Sequence, residues 1–147
     1  MTRARIPILL ALLWSVAWGQ SIVKSPEGVK SALAAMSEVV EQSGRLIASR
    51  DYAQLPREAN EFEARLIEFE QGIGSQPSEL KSTLEPLIAK ARVAASAMSE
   101  AAQSHRDSML PLTHRQLASA VAAMIAATPA SMRPNPAPQA QGPRNIR

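Results

Sequence analysis

Cysteine is absent from the 147 residues. Its absence excludes disulfides, thiol catalysis, zinc–thiolate sites and covalent attachment of a c-type haem. A chain of this size without cross-links must rest on its apolar core. Aromatics are almost as scarce, at two Trp, one Tyr and two Phe. Both tryptophans, Trp14 and Trp18, fall within the first 19 residues. Long apolar runs are also missing. The one extended stretch, Ile6–Val16, is shorter than the roughly 20 residues that a membrane span requires.

That stretch has the form of an export signal. Arg3 and Arg5 supply a positive start, Ile6–Val16 an almost wholly apolar centre, and Ala17 and Gly19 a pair of small residues two apart. Such an arrangement predicts cleavage after Gly19 and a periplasmic mature protein with no membrane span. Setting Arg3 and Arg5 aside leaves 14 cations against 13 acids. Three of those cations, Arg133, Arg144 and Arg147, lie in an acid-free tail, so the remaining body holds 11 cations against 13 acids. A body without cationic excess lacks the electrostatic face that nucleic-acid binding needs.

Four segments show helical periodicity and none shows strand alternation. The first runs from about Pro26 to Ser49, with Ser25 as N-cap and Pro26 at a position where its missing N–H costs nothing. Its stripe is Val29, Leu33, Met36, Val40 and Ile47, flanked by Val39 and Leu46. The second runs from about Asp51 to Gln71, capped by Asp51 with Gln54 in the capping-box position, although Pro56 moves the regular helix toward Leu55. Its stripe is Leu55, Ala59, Phe62, Leu66, Phe69 and Ile73. The third starts at Ser78 or Thr83 and ends near Gln103; Pro86 either kinks it or occupies its first full turn. Leu80, Leu84, Leu87, Ala91, Ala94 and Met98 form its stripe. The fourth spans about Ser108 to Ala127, capped by Asp107 or Ser108, with Leu110, Leu117, Val121, Met124 and Ile125 facing inward.

Residues 129–147 carry five prolines and almost no large apolar side chain. Such a segment cannot bury enough surface to offset its ordering entropy, so it reads as disordered. The expected organisation is a signal peptide over 1–19, a folded body over 20–128 and a Pro/Arg-rich tail over 129–147. Four helices joined by short turns predict an all-α, up-down-up-down antiparallel four-helix bundle. Alanines 59, 91, 94, 95, 101, 102, 118, 120, 122 and 123 read as inward-facing. Small residues there permit close helix approach or leave room for an apolar ligand.

The periodicity, the turn lengths, "SRDYAQLPREANEFEARL" and "ALAAMSEVV" resemble the small periplasmic four-helix-bundle cytochromes, both the soluble b-type and the c′-type. The resemblance covers nearly all of the body. It implies electron transfer through a haem held near the end that carries both termini. Met36 matches the position of an axial methionine in the b-type proteins. The family's second ligand, a histidine or the last residue of Cys-x-x-Cys-His, lies late in the fourth helix. In this chain the corresponding "ASAVAAMIAATP" has neither residue type, and Met124 is the nearest candidate. Without those ligands, any haem would be non-covalent.

Both histidines and two methionines lie in "AMSEAAQSHRDSMLPLTH", residues 97–114. Met98, His105, Met109 and His114 fall where the third helix ends and the fourth begins, at the bundle end opposite the termini. Imidazole and thioether donors together suit copper, and the thioethers favour Cu(I). The same residues also read structurally: methionines fill cores, and a histidine at a helix end satisfies a terminal carbonyl.

Catalytic constellations are missing. "SHRDS" holds Ser, His and Asp as near neighbours, whereas a triad converges from separated positions. No Glu-x-x-His pair exists for a di-iron site, and Gly72 and Gly74 stand in an interhelical turn rather than a phosphate loop. The sequence therefore predicts a non-enzymatic, exported bundle acting by binding. Its ligand would be a metal ion such as copper, a haem, an apolar molecule or a periplasmic protein partner.

Overall fold

The computed structural model describes residues 25–136, and the expected signal peptide lies outside them. Four helices account for most of this span: α1 (Pro26–Ser49), α2 (Leu55–Ile73), α3 (Ser78–Gln103) and α4 (Leu110–Ala127). No strand occurs among the described residues. Each helix packs most closely on its chain neighbours, and α4 returns to α1. The result is the up-down-up-down bundle that the periodicity predicts. The α3–α4 seam is the most extensive and the α1–α4 seam the least.

Ser25 caps α1 as its residue type suggests, its hydroxyl accepting the Gly28 N–H at 3.2 Å. The caps expected for α2 and α4 do not form. Asp51 makes no capping bond, and its carboxylate instead accepts from Gln54 Nε2 at 2.8 Å. Neither Asp107 nor Ser108 caps α4. A 3-10 turn precedes each helix in place of a cap, Tyr52–Gln54 before α2 and Asp107–Met109 before α4.

These two turns share one construction. Arg50 (φ 59°) and His105 (φ 55°) take the left-handed conformation just past a helix end. The following N–H reaches back to close the helix, Asp51 to the Leu46 carbonyl at 2.9 Å and Arg106 to the Ala101 carbonyl at 2.8 Å. This pattern satisfies terminal carbonyls that would otherwise lack partners. Each turn then runs into a Leu-Pro pair, Leu55-Pro56 and Leu110-Pro111. The leucine is fully buried, and the proline sits in the first helical turn, where no backbone donor is needed. The chain is thus two similarly built helical hairpins, offset by 55 residues from Arg50 to His105 and from Leu55 to Leu110.

The core is continuous along the bundle. In α2 every stripe residue from Leu55 to Ile73 is buried, with Phe62, Leu66 and Phe69 at zero exposure. In α1 the buried face turns toward Val39, Ser43 and Leu46, leaving Val40 and Ile47 partly covered. In α3 the expected Leu80 and Leu87 are likewise only partly covered, and Ile88 is buried. α3 starts at Ser78, which places Pro86 inside the helix on its exposed side. There water reaches the carbonyl that proline cannot bond.

The folded body also continues past its expected end at Thr128. Thr128 Oγ1 donates to the Met124 carbonyl at 2.7 Å. Arg133 then folds back, giving Nε to the Thr128 carbonyl (2.7 Å) and Nη2 to the Ala126 carbonyl (2.8 Å). Between them the 3-10 turn Ala130–Met132 packs on α1, and Met132 is buried. One apolar side chain and one guanidinium thus order the first part of a segment whose composition reads as disordered. Residues 137–147 lie outside the described residues.

Candidate functional site

The four residues singled out for copper do not share one environment. Met98 is fully buried in the core on α3. His105 and Met109 face solvent, the former as the left-handed residue ending α3 and the latter closing the 3-10 turn. His114 is half-buried on α4, with its ring turned to α1. Among the described residues, no group of three or more His, Cys, Asp or Glu is placed to hold a metal ion.

Among the described residues, His114 makes the one side-chain hydrogen bond between α1 and α4. Its Nε2 lies 2.8 Å from the Val40 carbonyl oxygen. As that oxygen can only accept, the neutral ring carries its proton on Nε2. Gly44, one turn beyond Val40, admits the ring: a Cβ there would lie 3.1 Å from both Cε1 and Nε2. A glycine that costs helix propensity is thus the seat of an interhelical contact.

Met36 and Met124, the candidate haem ligands, are both fully buried. The His114–Val40 contact sets the register between α1 and α4. Met124 stands ten residues beyond His114, about 15 Å along the axis, and Met36 only four before Val40, about 6 Å, so the two methionines differ in level by about 9 Å, more than one turn. Both methionines belong to the apolar core of the bundle, with Leu33, Phe69 and the other buried residues.

Most of the bundle's arginines are occupied. Arg65 bridges Glu61 (2.6 Å) and Glu68 (3.1 Å) along α2. Arg92 on α3 crosses to α2, with Nε 2.8 Å from Glu63 and Nη2 2.8 Å from Glu70. Hydrogen bonds to Glu70 and then Glu63 raise the Arg92 pKa above its ordinary value, and those to Glu61 and Glu68 do the same for Arg65. The Arg92 pairs tie α2 to α3, and each of these partly exposed pairs contributes modestly, about 0–1 kcal/mol.

A different surface stands out, one that the sequence reading missed. The outer side of α3 and α4 forms an open trough of about 650 Å³. Ala94 and Ala120, both buried, form its floor. Ala89, Val93, Gln116 and Ser119 form its walls, and Lys90 and Arg115 stand on it as the charged residues. Val93 is 69% exposed, the most exposed large apolar side chain among the described residues. α4 contains no acidic residue, and no charged residue falls between Arg115 and Arg133. Ala122, expected to face inward, is exposed, and Ala118 and Ala123 are only partly buried. The missed signal was this loss of charge: a bundle helix with one dry face normally carries charges on the other. Compared with protein-family models, curated proteins and solved structures, the chain matches none.

Proposed function

We propose that this chain is an exported helix bundle that acts by binding, with the outer face of α3 and α4 as its working surface. The observation that carries this reading is the stretch of α4 after Arg115, whose outer side carries no charge, beside the exposed Val93. A helix apolar on more than its core face is normally covered by something. Export rests on the Arg3, Arg5, Ile6–Val16 and Ala17–Gly19 pattern. No helix among the described residues is long and apolar enough to cross a membrane.

The surface reading is preferred to a haem or copper protein serving electron transfer or metal handling. Met36, Met124 and Met98 pack as core side chains, and His105 and Met109 point away from that core. The test is to express the full chain in a bacterium and recover it from the envelope fraction. Its mass should begin at Gln20, its visible spectrum should show no Soret band, and elemental analysis should find no stoichiometric copper. A red protein, or one retaining its first 19 residues in the cytoplasm, would defeat the reading.

A further inference from the structure

We propose that the α3–α4 trough binds a medium-chain carboxylate, its apolar chain lying against Val93, Ala94 and Ala120 and its head group held by Lys90 or Arg115. The inference rests on the reading of this face as the working surface and adds the chemistry of the ligand.

Charge complementarity carries it. Lys90 and Arg115 line the trough, and no acid does. Arg65 and Arg92 are taken by glutamates, and Arg133 by backbone carbonyls. Among the described residues neither Lys90 nor Arg115 has an ion pair or a side-chain hydrogen bond. An anion arriving there displaces no internal partner and gains a charge-assisted bond.

The dimensions select a chain rather than a compact anion. Lys90 stands 13 residues before the last residue of α3, and Arg115 five after the first of α4. In an antiparallel hairpin that difference of eight residues separates the two cations by about 12 Å along the trough. Val93, Ala94 and Ala120 supply apolar surface in the trough, so a carboxylate at one end leaves its chain against them. The volume of about 650 Å³ falls in the small-molecule range. A docked helix would need a row of apolar anchors, but Val93 is the one large apolar side chain in the trough.

Decanoate and 1-decanol provide the test, titrated into the mature chain and followed by calorimetry and backbone-amide NMR. Decanoate should bind saturably, shifting amides of residues 89–94 and 115–120. Decanol should bind about tenfold more weakly, as loss of one charge-assisted bond implies. A Lys90→Glu/Arg115→Glu variant, altered only at exposed positions, should lose decanoate by a similar factor or more. Absence of saturable binding, or shifts spread through the core, would overturn the proposal. Equal binding of acid and alcohol, abolished by Val93→Asp but indifferent to charge reversal, would also overturn it while leaving the α3–α4 face as the working surface. Dimerisation broken by Val93→Asp would show a second copy of the chain as occupant and overturn it too.

Discussion

His114 Nε2 lies 2.8 Å from the carbonyl oxygen of Val40, across the least extensive seam of the bundle. The contact exists because residue 44 has no side chain. Gly44→Ala should therefore behave differently in two backgrounds. With His114 present, the added methyl at 3.1 Å from the ring offsets the roughly 1 kcal/mol that alanine gains over glycine in a helix. With His114→Ala the gain is recovered in full. Chemical denaturation of the four proteins of this cycle should give a coupling of about 1 kcal/mol, and additivity would refute the contact. Nitrogen NMR of the ring should find the neutral form protonated at Nε2.

Ser43 offers a stabilising substitution. Its hydroxyl is fully buried on α1 and has no hydrogen-bond partner among the described residues. An unsatisfied buried hydroxyl costs about 1–3 kcal/mol, and serine is a poorer helix former than alanine. Ser43→Ala should raise stability by about 1 kcal/mol, or roughly 4–8 °C in Tm for a domain of this size. A loss on this substitution would mean that the hydroxyl has a partner.

His105 separates structural from metal-binding roles. It takes φ 55° at the end of α3, a conformation that costs a residue with a Cβ roughly 1 kcal/mol and glycine almost nothing. His105→Gly should hold or raise the melting temperature. A Cu(I) titration should give the same affinity for this variant as for the parent; a clear drop would restore His105 as a ligand.

Met132 tests where the folded body ends. Its side chain is 4% exposed within a proline-rich segment. Met132→Ala should cost about 2–3 kcal/mol, as other buried methionine truncations do. An effect within experimental error would return the boundary to Thr128.

Legibility followed the range of each interaction. Ser25-Pro26 and the stripe of α2 are local patterns, and both hold in the structure. Asp51 and Asp107 read as caps because their residue type favours capping, yet the left-handed Arg50 and His105 close the preceding helices and shift the start of the next to a Leu-Pro pair. No glycine marks those two positions, so composition hides the turn. Ala122 and Ala120 look alike in sequence, and only the tertiary register makes one exposed and the other buried. Gly44 by residue type only weakens α1, and the reason for it, the ring of His114, comes from 70 residues away. The α3–α4 trough exists only once two helices are placed side by side.

Native mass spectrometry of the protein released gently from the envelope tests the binding account most directly, comparing the natural chain with Val93→Asp. The natural chain should carry a non-covalent adduct that the variant lacks, both being equally helical by circular dichroism. An adduct retained by Val93→Asp, or one whose mass is that of haem, would contradict the account.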